Sequence, residues 1–579
     1  MRHLSAPRAG TWPLLLVAVL LNAALVWNFH DQHWYVVDEG NYAHVAERLL
    51  AGETLHLDVQ DVHPGYINFL NAAAFKVFGI DLRSMRYPLM AAALTQAILA
   101  WFFLAGRDAL LATLASVASI ALGVLQFLNP TAHWYALFVT AVLVAWLGWL
   151  PQGHRARVFG AGLLVGVVVM FRQLTGVWVA MAVLVLLLGE RPTGARGRHA
   201  IVARGLVALM LVALVGYLAR AGGPEASGIV LIASWPIAIL LWTLRKVEVS
   251  NRDCLALLGQ LALGGSIAVL PLVAYHAANG SSGAWLADTL FASVHLTTLD
   301  FFDRATFFVL PAMGLVNVVR PPDLVGFVNG LYWVVISLLP AVNGWMLVRL
   351  MRSGHGQPPL LPLMAAFYSL VTLHLAGAIY LSYSVGLSAI AVLWSLADLN
   401  RIRTRAVAVT AAALCVVALV FQAGQSPFRR PMDTARGKRT VTADTPTCPS
   451  FRRSTLRIER SECEPYQRLV RAIEANTADG EPIFAIPSDA ELYFLAARPN
   501  PFRFFNSALG VQTPADLAAV LETLARHPPR VVSYRPADKY NTEASRRIME
   551  YVRGNYEQFD AIAGVELYRL RASDGTENQ

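Results

Sequence analysis

The sequence predicts an all-α polytopic membrane bundle with a small α/β domain at its C-terminal end. Three observations carry this. Of 579 residues, 56% are hydrophobic and 15% charged, where soluble domains carry roughly 25% charge, and mean hydropathy is +0.48. Apolar runs follow one another up to residue 422, separated by short loops whose basic residues alternate. After residue 423 the chain turns polar and rich in Arg, Pro and Asp.

The N-terminal MRHLSAPRAG is basic and precedes an apolar stretch from Trp12 to Trp27. No small-x-small cleavage site follows, so the stretch reads as a retained first membrane helix rather than a signal peptide. Runs long enough to cross a bilayer fall at 11–29, 87–106, 109–128, 135–150, 158–171, 175–189, 201–219, 228–244, 254–275, 324–348, 359–381, 384–398 and 406–422. That is about thirteen spans; the segment 305–319 reads either as a helix or as a re-entrant or interfacial piece.

Basic residues test the count. Arg2 and Arg8, Arg107, Arg155 and Arg157, Arg191 to Arg204, Arg245 to Arg252, Arg349 and Arg352, and Arg401 to Arg405 mark every second loop. The intervening stretches Asn129–Tyr135 and Leu381–Gly386 have no Lys or Arg. The positive-inside rule then puts the N-terminus in the cytoplasm, and an odd number of spans puts the tail outside. Residues 1–422 form the transmembrane domain, with outer loops over about 30–86 and 276–323, and residues 423–579 form a periplasmic domain. The net charge of +9 therefore belongs to cytoplasmic loops, and no nucleic-acid partner is implied. The Ala-, Leu- and Arg-rich composition points to a bacterial inner membrane.

In the tail, EPIFAIP, PRVVSY and VELYRLR read as strands, while LAAVLETLAR and ASRRIMEYVRG have helical apolar spacing. Cys254 and Cys415 fall in apolar runs and read as packing residues. Cys448 and Cys463 lie in the polar tail, where an oxidising compartment allows a disulfide.

The first outer loop is the most informative stretch. In WYVVDEGNYAHVAERLLAG, residues Tyr42, Val45, Ala46, Leu49 and Leu50 make one apolar helical face, expected at the membrane interface. Asp38 and Glu39 fall in its first turn, where the helix dipole favours carboxylates. For Glu39, capping alone is one open reading. A second interfacial helix is expected over 66–78, ended by Gly79, with His63–Pro64–Gly65 as a rigid turn between the two. Arg83 and Arg86 stand where the chain re-enters the membrane; snorkelling to headgroups is their plain alternative.

This loop resembles the first outer loop of the GT-C glycosyltransferases, in particular the protein mannosyltransferase and aminoarabinose transferase branch with its lipopolysaccharide-core galacturonosyltransferase-like members. The shared positions are Asp38, Glu39, Tyr42, Ala46, Leu50 and Gly52, then the HPG turn, YINFLNAAAFKVFG and RYP. The stretch GVVVMFRQLTG and the tail segment EPIFAIPSDAELYFLAARPNPFRFF extend the resemblance over most of the chain. It implies a GT-C bundle with two juxtamembrane helices, and transfer of a sugar from a polyprenyl phosphate to an envelope lipid, glycan or protein.

The resemblance implies Asp38 as the base, with Glu39 orienting a substrate or a neighbour. Leaving-phosphate charge needs cations: His63 at the turn, Arg172 in FRQLTG and Arg86 are the candidates, Arg172 the strongest because an intramembrane Arg is costly unless it faces a cavity or headgroups. Tyr42, His133 and Tyr383 are pocket candidates; belt aromatics are the alternative for the Trp134–Tyr135 pair beside His133. Three departures stand out. The turn is His-Pro-Gly rather than His-Pro-Pro, NPTAHWYALF lacks an acid many members carry, and Ser382–Tyr383 lacks a basic residue. Some relatives of this kind use a divalent metal, but no clear ligand set is visible, nor a D-x-D in the outer loops or a Gly-rich phosphate loop. Two other classes stay open: a lipid-linked sugar flippase, against which stand the missing internal repeat and the outer-face clustering of ionisable residues, and a non-catalytic assembly protein.

Overall fold

The computed structural model describes residues 9–190, 200–220, 228–296, 306–352, 358–373, 378–397, 402–424, 448 and 451–571. The basic residues Arg2, Arg8, Arg191, Arg196, Arg198 and Arg401, loop residues 297–305 and tail residues 425–447 lie outside the described residues.

Among the described residues, each of the thirteen apolar runs falls largely in helix, with runs 359–381 and 384–398 meeting in helix Ala378–Ala397. In chain order, α1 (Trp12–Phe29) leads into the outer loop, which holds α2 (Val36–Leu50) and α3 (Tyr66–Phe78). Then come α4 (Leu82–Ala105), α5 (Ala109–Ala121), α6 (Ala132–Trp149), α7 (Arg155–Phe171) and α8 (Gln173–Gly189). Helices Ile201–Arg220, Ser234–Lys246, Asn251–Ala278, Leu324–Arg352, Leu360–Tyr368, Ala378–Ala397 and Ile402–Ala423 complete the bundle. The segment left open at 305–319 is a helix, Thr306–Val319, packed along Leu324–Arg352. Among the described residues, seven helices are long and apolar enough to cross a membrane, and five shorter apolar ones accompany them. The chain is a multi-pass membrane protein.

Local chemistry sets the helix starts near the outer loop. Asp81 caps α4 by accepting from Arg83 N, and Asp108 caps α5 through Leu110 N and Leu111 N. In the HPG turn, Gly65 has φ +143°, a conformation closed to proline, whose ring fixes φ near −65°. The His-Pro-Gly departure is therefore a differently built turn.

The C-terminal domain has a four-stranded sheet in the order β1-β2-β4-β3. Strands β1 (Ile483–Ile486) and β2 (Val531–Tyr534) are parallel; β4 (Val565–Leu570) pairs antiparallel with β2 and with β3 (Tyr556–Ile562). Helix Pro514–Arg526 starts at a Thr513–Asp516 capping box and Glu543–Asn555 at a Thr542–Ser545 box. The domain also holds helix Arg460–Ala475, whose Cys463 is bridged to Cys448.

This domain is welded to the outer loop. One apolar core joins Trp34, Ala43 and Ala46 around α2, Phe75 of α3, Met85 of α4, and Leu492, Phe494 and Val531 of the domain. The apolar face of α2, expected at the membrane interface, therefore packs against α3 and the domain helix Ala490–Ala496, with only Leu50 left well exposed. Gly40 makes this approach possible: a Cβ there would sit 2.3 Å from Glu491 Cβ and 2.5 Å from Glu491 Cα. Ion pairs Arg453–Glu47 (2.6 Å) and Arg457–Asp31 (2.8 Å) tie the returning chain to the loop.

Candidate active site

A cavity of about 370 Å³ opens where the helices of the bundle meet the C-terminal domain. Asp38 reaches it from the first turn of α2, and Tyr42 follows one helical turn later. His63 comes from the HPG turn, and His133 from the start of α6. Arg172 stands at the break between α7 and α8, in extended conformation (φ −155°, ψ 109°) that turns the chain between two helices. Tyr383 comes from Ala378–Ala397. Six of the eight residues that the sequence nominates for catalysis or binding thus meet in one cavity.

The Asp38 carboxylate accepts a hydrogen bond from Asn129 Nδ2 at 3.2 Å. Enclosure by protein pushes its pKa up to about 6; the charge of Lys539 opposes this, the Glu39 charge adds to it, and His63 opposes it. The Asp38 side chain is exposed to the cavity.

His63 is oriented by Asp61, whose Oδ1 lies 2.8 Å from His63 Nδ1 and also accepts from His63 N at 3.1 Å. Burial works to raise the Asp61 carboxyl, but the charge and hydrogen bonds of His63 outweigh it and the net direction is down. On the other edge, His63 Nε2 is 3.4 Å from the Tyr42 hydroxyl. Burial pushes the Tyr42 phenol up, and the charges of Asp38 and Asp61 add to that. His133 stacks on Tyr383, ring centroids 3.9 Å apart and 5° from parallel. Arg172 donates to the Tyr380 hydroxyl, which also lines the cavity.

Glu39 and Arg86 are elsewhere. Both are fully buried and paired, Arg86 Nη2 to Glu39 Oε1 at 2.7 Å and Nε to the same oxygen at 2.8 Å. Glu39 Oε2 accepts from Tyr35 N, capping α2, and Arg86 donates to the carbonyls of His30, Gln32 and His33. With its donors taken up by the chain turn, Arg86 faces no cavity and no headgroup. The pair fixes the turn that presents Asp38.

Several lining residues were not nominated from the sequence. Lys539, Tyr540, Phe505 and Asn506 come from the C-terminal domain, roughly five hundred positions from Asp38 in the chain. Gln60, beside them, donates to Asp288 Oδ1 at 3.2 Å. Asp288 also accepts from Arg503 at 2.6 Å and meets His56 Nδ1 at 3.0 Å. This buried carboxylate joins the first outer loop, the second outer loop and the C-terminal domain. Only its position in the fold gives it that role. Among the described residues no group of three or more His, Cys, Asp or Glu is placed to hold a metal ion.

No protein-family model and no curated protein matches the chain. Among solved structures it is similar to ArnT from Cupriavidus metallidurans bound to undecaprenyl phosphate, with 13% identity and a TM-score of 0.40 over 98% of this chain and 99% of that one. ArnT from the same organism in the apo state is similar at 13% identity and a TM-score of 0.39, over 97% and 98% of the two chains.

Proposed function

We propose that this protein is an integral-membrane glycosyltransferase that moves a sugar from a polyprenyl-phosphate donor to an envelope acceptor on the periplasmic side. The observation that carries this reading is convergence. Asp38, Tyr42, His63, His133, Arg172 and Tyr383, nominated one by one from a sequence resemblance, line a single cavity. That cavity sits where membrane helices meet a disulfide-bearing domain, a bond suited to an oxidising compartment.

In the reaction, Asp38 takes the proton of the acceptor hydroxyl as its oxygen bonds to the anomeric carbon of the sugar. The bond from that carbon to the phosphate oxygen breaks, and the electron pair leaves with the polyprenyl phosphate. Arg172 offsets the charge that develops there. His63, held by Asp61 with its Nε2 towards Tyr42, is the second group able to face the phosphate. The reading is tested by mass spectrometry of envelope glycans from cells with the gene, without it, and with Asp38→Asn in its place. One glycan mass is expected to disappear on deletion and to stay absent with Asp38→Asn at equal protein level. Restoration by Asp38→Asn would exclude Asp38 as the base.

A further inference from the structure

The C-terminal domain contributes more than a cover to the cavity. The chain after β2 makes a tight turn whose conformation is over-determined. Asn541 Nδ2 donates to the carbonyls of Arg535 and Pro536 at 2.9 Å and of Asp538 at 3.1 Å. Asp538 Oδ1 accepts from Tyr540 N at 2.7 Å, and Asp538 Oδ2 accepts from Ser488 Oγ at 3.2 Å. The base of the turn is anchored by Arg535 to the buried Asp489 at 2.9 Å. Two residues of the turn, Lys539 and Tyr540, line the same cavity as Asp38, and the ammonium lies 5.2 Å from the centre of the Tyr540 ring.

The same domain grips the helix that carries Asp38, with Glu491 against Gly40 two residues on. The braced turn and the gripped helix bring the cation and the carboxylate to one cavity. The other charged groups around Asp38 are accounted for. On its own helix, Glu39 is paired with Arg86. From the outer loop, Asp61 is paired with His63. From the α7–α8 break, Arg172 is directed to Tyr380. From the C-terminal turn, Asp538 is engaged by Ser488 and Tyr540 N. Tyr42, Tyr380, Tyr383 and Tyr540 complete the wall as phenols.

We propose that Lys539 is a positioning residue of the active site, the cation that holds Asp38 in its ionised, proton-accepting form, so that the C-terminal domain is a working part of the catalytic centre. This rests on the reading of Asp38 as the base, but the charge relation can be read without any transfer assay. Of the charges acting on Asp38, that of Lys539 is the largest, and it favours the ionised carboxylate.

The test uses the purified full-length chain. Dicyclohexylcarbodiimide modifies protonated carboxyls in apolar surroundings, and peptide mass spectrometry follows its labelling of Asp38 against pH. Lys539→Gln is expected to move the half-labelling pH upward by about one unit, Lys539→Arg to return it, and Lys76→Gln, exposed on α3, to leave it unmoved. Lys539→Met, which keeps the long apolar stem, replaces the Gln variant should that variant lack a wild-type melting transition. An unmoved profile on loss of the Lys539 charge, or an equal shift in Lys76→Gln, overturns the proposal. Failure here leaves the glycan test of Asp38 standing, and failure there leaves this profile readable.

Discussion

Asp38 and Glu39 are neighbours in sequence with opposite surroundings. Asp38 faces the cavity with one hydrogen-bond donor, while Glu39 turns inward to Arg86 and the start of α2. As the proposed base, Asp38, with a pKa near 6, is ionised above that pH and protonated below it. Transfer activity is therefore expected to fall tenfold per unit as pH drops below about 6, checked as an initial rate against pH with reconstituted protein. The Glu39–Arg86 pair responds to truncation differently. Arg86→Met leaves a buried carboxylate unpaired and is expected to cost about 3–5 kcal/mol. The double variant Glu39→Gln with Arg86→Met is expected to recover much of that loss, because no uncompensated charge remains. Denaturant unfolding of the two variants measures the difference.

The element that decides the site is α2, and its setting depends on one residue without a side chain. Gly40 lets the backbone of α2 come against Glu491, a fit that any Cβ would spoil. Gly40→Val is expected to destabilise the docking by about 1–3 kcal/mol through overpacking and to lower activity with it. Limited proteolysis of the C-terminal domain, which speeds up if docking loosens, checks this. The elements themselves were largely legible in advance. Membrane helices announce themselves through long apolar runs, and the tail helices Pro514–Arg526 and Glu543–Asn555 through their spacing. β3 was missed because in Tyr556–Ile562 only the two ends are buried, so it has no apolar alternation to read. Helix Ala490–Ala496 lacks a helical period for the opposite reason: it is buried on all sides, leaving no polar face.

At the scale of the whole molecule, the bundle and the C-terminal domain share an apolar core, and beside it the domain holds a buried polar cluster of its own. Glu491 sits in that cluster, accepting from Tyr466 at 3.0 Å with Arg535 at 4.0 Å. Burial, and then the charge of Asp489, pushes the Glu491 carboxyl up to about 8. Between the ordinary carboxylate range and pH 8 the folded chain binds a proton that the unfolded chain does not, so stability from this group is lost as pH rises. Glu491→Gln mimics the protonated acid and escapes that loss. Its melting temperature is expected to match the wild type near pH 5 and to lead it increasingly up to about pH 8, then level off. A constant gap across that range in thermal unfolding would count against a neutral Glu491.

What the sequence determined by itself was whatever is written in runs and periods: the membrane-crossing helices, the alternation of basic loops, the change of character at the tail, and the loop motif around Asp38. These need only a chain's local hydrophobicity, charge and spacing. Which side chains share a cavity is not local information. Arg172 could be placed near the outer face from sequence, and the break between α7 and α8 turns it into the cavity. Arg86, a weaker phosphate candidate in the sequence, is buried by the fold against Glu39. Lys539 sits in an ordinary polar turn and enters the site only because β2, Asn541 and Arg535 hold that turn over the membrane helices. Tertiary packing decided these cases, because burial and charge pairing depend on neighbours contributed by remote parts of the chain.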